Sequence, residues 1–321
     1  MNLTSICELP TFVKKTSKPK IMRTIKHLVW TVLLAWAVSG CSSDSNETPA
    51  QTKIPISLNC GMNSASARAT DTGFETGDRI GLYVVNYNGD IAGTLLPTGN
   101  HVDNMQFTYD GTWTPATPIY WKDETTPADF YGYYPYTASL ADIEAMPFNV
   151  MADQSSEDNY KASDFLWGKT VQVAPTEKAV GITLNHLFSC AVVKVAAGNG
   201  FTTESLAEAD IQVKLNKATC QANINLNNGQ VTPGIDAQSI TFLRGTNNEF
   251  KALIVPQTVP SAENFLTVTI DGRDFNMEKE FTFVGGKRHT FTVTVKKTSN
   301  GINVDIGGWE DDDVDNGGVA E

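Results

Sequence analysis

From residue 52 onward, hydrophobic and polar residues alternate in short runs, and Gly, Pro, Asn and Asp fall between the runs. The first series comprises Lys53 to Cys60, Arg79 to Tyr87, Pro118 to Lys122, Asp129 to Tyr134, Phe165 to Val173, Val180 to Leu184 and Phe188 to Ala196. The second comprises Ile211 to Leu215, Thr219 to Leu226, Ile240 to Leu243, Phe250 to Val255, Phe265 to Ile270, Phe281 to Val284, His289 to Val295 and Gly301 to Ile306. No stretch of useful length keeps a 3.6-residue period, and Ala138 to Ala145 is the one candidate for a short helix, set in a loop. Side chains of a strand point alternately to its two faces, so this pattern predicts an all-β chain of the sandwich type.

The two ends of this region carry the cleanest alternation. Ile54, Ile56, Leu58 and Cys60 share one face, and Pro55, which has no N–H to give to a ladder, predicts an edge position. A small, polar stretch follows, Gly61 to Thr70, with Arg68 as its only charge, which is the composition of a protease-accessible loop. At the far end Ile302, Val304 and Ile306 repeat the alternation between Gly301 and Gly307-Gly308, and Trp309 closes the run.

Ahead of these strands, residues 22 to 41 read as a lipoprotein signal. Arg23 and Lys26 form a positive start, Leu28 to Ala37 an apolar run too short to span a bilayer, and Val38-Ser39-Gly40-Cys41 a lipobox. Met22 is then the expected start, cleavage falls between Gly40 and Cys41, and the Cys41 thiol takes the lipid that ties the protein to a membrane surface. Ser42 to Gln51 is a polar tether, and Glu310 onward an acidic tail.

Charge and cysteine usage narrow the function classes. The full chain has 24 Lys and Arg against 36 Asp and Glu; without residues 1–40 it keeps 18 against 35, a net charge of −17. Such a surface repels phosphate backbones, so nucleic acid is not an expected partner. Cys60, Cys190 and Cys220 form no CxxC and are expected as buried thiols. His101, His186 and His289 sit in β-like segments outside any nucleophile or metal motif, so neither an enzyme nor a cofactor is expected. The acidic tail from Glu310 to Asp315 misses the turn glycine and terminal glutamate of a calcium loop. The glycines at 77, 81, 285 and 286 precede no helix and read as turns. Trp121, Phe130, Tyr131, Tyr133, Tyr134 and Tyr136 are either core or a stacking platform for a sugar.

An ordered set of segments resembles the Bacteroides-type fimbrillin family. It runs from Phe74-Glu75-Thr76-Gly77-Asp78-Arg79-Ile80-Gly81-Leu82-Tyr83 through Asp103-Asn104, Phe107 to Trp113, Pro118 to Trp121 and Asp129 to Tyr136. Asp164-Phe165-Leu166-Trp167-Gly168, Leu184-Asn185-His186-Leu187-Phe188 and Ile254-Val255-Pro256-Gln257 continue it in the same order. The resemblance covers residues 52 to 309. It implies a cell-surface lipoprotein of two tandem transthyretin-like, Greek-key β-sandwich domains, here 52–180 and 181–309, that serves as a subunit or accessory protein of type V pili in adhesion. It further implies cleavage between Arg68 and Ala69 by an arginine-directed protease and loss of the strand bearing Ile54, Ile56 and Leu58. The vacated groove is then filled by the carboxy-terminal strand of another pilin subunit, here Ile302, Val304, Ile306 and Trp309. A glycan or protein receptor on a host or bacterial surface is a further candidate partner. Two alternatives stand beside this reading: a surface glycan-binding lipoprotein using the Trp121–Tyr136 aromatics, and a lipidated anchor that never polymerises.

Overall fold

A computed structural model describes residues 53–62, 73–198, 201–298, 301–306 and 310–311. The chain folds into β1 (Leu58–Met62), β2 (Arg79–Asn86), β3 (Val102–Tyr109), β4 (Trp113–Pro115), β5 (Ala128–Tyr134), β6 (Met146–Asn149), α1 (Glu157–Ala162), β7 (Leu166–Val173) and β8 (Val180–His186). It continues with β9 (Ser189–Ala197), α2 (Thr203–Glu208), β10 (Ile211–Thr219), β11 (Gln221–Asn225), β12 (Gln230–Pro233), β13 (Ala237–Thr241), β14 (Leu243–Arg244) and β15 (Glu249–Ile254). The last elements are β16 (Gln257–Ile270), β17 (Arg273–Phe283), β18 (Arg288–Thr298), β19 (Gly301–Ile306) and β20 (Glu310–Asp311). The all-β expectation is met.

Seven strands form one sheet in the order β1-β8-β7-β5-β2-β3-β4, and six more, β14-β15-β9-β18-β19 with β20 beside β18, form another. A four-stranded sheet, β13-β10-β16-β17, and a three-stranded one, β12-β11-β6, complete the fold. Of the strands in the seven-stranded sheet, β2 and β5 have no solvent side. One face of β2 and β5 presents Ile80, Leu82, Val84 and Phe130 to a core lined by Trp113, Trp121 and β8. Their other face presents Tyr83, Val85, Tyr131 and Tyr133 to a core that continues through Phe165 and Phe188 to Ile211, Phe265 and Phe291. Two further links bind the sheets together. β6 pairs with β11 through Met146↔Ile224 to Asn149↔Gln221, and the Trp167 indole donates to the Leu226 carbonyl at 2.8 Å.

Ala138 to Ala145 is not helical: the Asp142 carboxylate accepts the N–H groups of Glu144 and Ala145 at 2.8 and 3.1 Å, and only Ile143 and Leu140 reach the core. A side chain that captures local amides competes with the helix ladder. The two helices among the described residues are six-residue pieces capped by Ser156 and Thr202.

Two glycines permit the tight layering beside β8. Gly132 of β5 and Gly168 of β7 are register partners, and a Cβ on Gly168 would strike the Thr183 carbonyl while one on Gly132 would press on Leu184 and Ile182. Because the obstruction at Gly168 is backbone, it cannot rotate away. Gly168→Ala is expected to lower stability in urea unfolding by about 1–3 kcal/mol. Gly181→Ala, which meets nothing within 4 Å, should stay within about 0.5 kcal/mol of the parent.

Candidate functional site: the amino-terminal strand and its groove

The alternation read in Lys53 to Cys60 is reproduced residue by residue. Ile56, Leu58 and Cys60 are buried, Ile54 and Met62 pack against the same core, and Lys53, Pro55, Ser57 and Asn59 are exposed. The strand changes partner along its length. At its start it runs antiparallel to residues 119–121: the Ile56 N–H donates to the Ile119 carbonyl and the Trp121 N–H to the Ile54 carbonyl, both at 2.9 Å. These bonds bracket the bridge Pro55↔Tyr120, so the proline occupies a pair that exchanges no hydrogen bond of its own. From Ser57, whose carbonyl accepts the Val180 N–H at 2.9 Å, the strand turns its odd-numbered backbone groups to β8. There β1 pairs in parallel, with Leu58↔Val180, Cys60↔Ile182 and Met62↔Leu184.

The expected edge position holds, since β1 ends the seven-stranded sheet. Its far side is nevertheless covered. Beyond the 54–56 pairing, the Trp113 indole N–H of β4 donates to the Cys60 carbonyl at 2.8 Å, which draws the two ends of the sheet together. The core in which the strand is buried also contains Ile80, Phe107 and Trp113, together with Ile119, Trp121 and Ile182 of the segments that pair with it. Sequence reasoning found the strand and β8 but assigned no role to Trp113 or Ile119.

The carboxy-terminal candidates take an equivalent place in the six-stranded sheet. Gly301 to Ile306 forms β19, antiparallel to β18, with Ile302↔Lys297, Val304↔Val295 and Ile306↔Val293. It is the outermost strand of that sheet, and β20 extends the pairing at Glu310↔Thr290. Gly40, Cys41, Arg68, Ala69 and Trp309 lie outside the described residues.

The remaining candidate chemistry resolves into packing. Trp121, Phe130, Tyr131 and Tyr133 are buried, Tyr134 and Tyr136 half-buried. The Trp121 indole donates to the Thr176 carbonyl at 3.1 Å, and for the four buried rings this supports packing in the core. His101 Nε2 lies 2.7 Å from the Tyr120 carbonyl, His186 Nδ1 lies 2.9 Å from Asp164 Oδ2, and His289 Nε2 accepts the Val284 N–H at 3.2 Å. Among the described residues no group of three His, Cys, Asp or Glu is placed to hold a metal ion. Cys60 and Cys220 are buried thiols, whereas Cys190 is half-buried with its Sγ 3.8 Å from the Tyr160 hydroxyl. Burial pushes the Cys60 thiol up to about 12 and raises Cys220 as well.

What these elements build is a seat for an extended strand. A profile described as fimbrillin-like matches residues 67–309, and the chain belongs to that family. A Bacteroides uniformis protein provisionally named fimbrium subunit Fim1C is 24% identical over 295 residues, 88% of this chain and 94% of that protein. A Bacteroides ovatus protein, provisionally named fimbrium tip subunit Fim1C, is 27% identical over 196 residues. That match takes in 54% of this chain and 35% of the relative's own length. A solved structure from Bacteroides ovatus, provisionally described as a cell adhesion protein, superposes with a TM-score of 0.62 at 19% identity, over 81% of this chain and 98% of that one. At that identity the likeness is one of fold.

Two measurements probe the seat. Ile56→Ala removes a side chain that is 3% exposed and should cost about 2–5 kcal/mol in unfolding. The Cys60 thiol should resist alkylation in the intact protein and react once the strand is out, with Cys220 silent in both states. The same burial fixes a pH dependence. Cys60 is held neutral, so its contribution to stability is whole below the ordinary thiol range and fades as pH rises from about 9 through about 12. A Cys60→Ala variant should show a smaller loss of melting temperature across that window.

Proposed function

We propose that this protein is a fimbrial subunit at the cell surface that assembles with other pilin subunits by protease-triggered exchange of its first strand. The observation that carries the reading is the seating of Ile56, Leu58 and Cys60 in a core otherwise built from residues beyond Gly73, with the strand joined to that core through residues 63–72. Each large side chain it buries is worth roughly 1.5–3 kcal/mol, against a typical domain stability of about 5–15 kcal/mol. Its removal also strands the Ile119 carbonyl and the donors of Trp121, Val180 and Trp113, and an unmet buried polar group costs about 1–3 kcal/mol. An empty groove therefore favours capture of a replacement, with main-chain bonds supplying sequence-tolerant affinity and alternate side chains the parity.

In this scheme the precursor is lipidated at Cys41 and held in the outer membrane. A protease cuts between Arg68 and Ala69, and β19, the outermost strand of its own sheet, is the donor to the next subunit. A second reading is favoured by the bonds on both edges of the first strand: a lipid-held anchor whose strand stays in place. The purified precursor, treated with trypsin at low dose, is expected to be cut after Arg68 and then to form a ladder of oligomers; a cut protein that remains monomeric would overturn exchange. Amino-terminal sequencing of protein recovered from cells separates the two readings, because a start at Ala69 marks processing and a blocked Cys41 marks retention.

A further inference from the structure

We propose that Trp113 is a positioning residue of the groove, a fixed buried donor that requires any strand lying beside β8 to extend through the place of Cys60 and to present a main-chain carbonyl there. The inference rests on the exchange reading given above. Trp113 is 7% exposed, and its Nε1 reaches the Cys60 carbonyl across 53 positions of sequence. β4, which carries it, is three residues long and ends the sheet. The indole therefore takes on the β1 side the part that a ladder strand would otherwise play. Two aromatic neighbours brace the ring: Phe74 meets it edge-on at 4.8 Å and 82°, and Tyr109, its register partner, packs at 5.1 Å, the two also touching each other at 6.1 Å. Tyr134 in turn braces Phe74 at 5.9 Å. Braced in this way the indole meets the Cys60 carbonyl as its acceptor, and a buried donor left without one is costly.

The apolar pockets fix only which face of a strand points inward, since positions 54, 56, 58 and 60 are all apolar and a shorter strand could satisfy most of them. Trp113 adds the missing condition, that the occupant fill the groove to its end. The same ring also holds the chain on either side of residues 63–72, through the Cys60 carbonyl before them and the Phe74 ring after them. A cut in that segment leaves the resident strand seated until another displaces it.

The test is a double-mutant cycle on the full chain, nicked within residues 63–72 by limited proteolysis. Binding is measured for a labelled peptide of residues 53–62 and for the same peptide with a trans-alkene in place of the Cys60–Gly61 amide, which deletes the carbonyl. Any loss from the missing Gly61 N–H is common to both proteins. The alkene should therefore weaken binding to the parent about 3- to 10-fold more than binding to Trp113→Phe. Uptake of the unmodified peptide by Trp113→Phe shows that its groove is folded; should that variant not fold, Phe74→Leu, which loosens the ring but keeps the donor, should show a reduced coupling. Equal weakening in parent and variant would overturn the role of Trp113 and leave exchange standing. No cut in the segment, or no uptake of either peptide by the parent, would overturn both.

Discussion

Burial of both faces of β2 and β5 is the constraint on which the molecule depends. Ile80, Leu82, Val84 and Phe130 lie on one side, and Tyr83, Val85, Tyr131 and Tyr133 on the other. These two strands are the wall shared by two cores. A strand with no wet side is held by packing from both directions, so it cannot slip by one residue without exchanging the content of each core. The demand for close layers follows from it. Gly168 lets β7 lie against β8, Gly132 leaves room on β5 for Leu184 and Ile182 of β8, and Gly81 leaves room for the Tyr133 ring. Tyr133, whose hydroxyl donates to Asn104 Oδ1 at 2.7 Å, joins β3 to that wall.

A wall fixed from behind is what makes a groove in front of it. Most of the surfaces the first strand touches belong to segments anchored elsewhere: β8 through β7, Ile119 and Trp121 through the aromatic contact with Phe130 at 5.4 Å, and Trp113 through β3. The strand itself contributes side chains but carries none of the rest. Its position in the sheet is that of an insert, and β19, at the rim of the six-stranded sheet, is likewise supported from one side. The family resemblance and these two edge placements agree without either being needed to see the other.

Legibility in the sequence followed the source of each feature. Period-two alternation in Lys53 to Cys60 named the buried face correctly because that strand is wet on one side, the case for which alternation is a direct record of burial. β3 was not found: Asp103, Asn104, Gln106 and Thr108 interrupt its apolar content, and only Val102 and Phe107 are buried. β4, β6 and β12 are three or four residues long, too short to show any period. The Trp121–Tyr136 aromatics were legible as a cluster with half of it in the core, but not the burial of Tyr131 and Tyr133 together with Phe130, since composition does not say which faces a second sheet will cover. Trp113 left no local signal at all, because its role is a single hydrogen bond to a carbonyl far away in sequence.

Pro55 has a consequence for the direction in which such a groove would change hands. The bonds at Ile54 and Ile56 turn the backbone of residue 55 toward the β8 side, and there the resident strand has no amide to offer. Residues 301–309 contain no proline. In the exchange proposed above, a strand of that composition would bring to this margin one main-chain donor that the native occupant lacks.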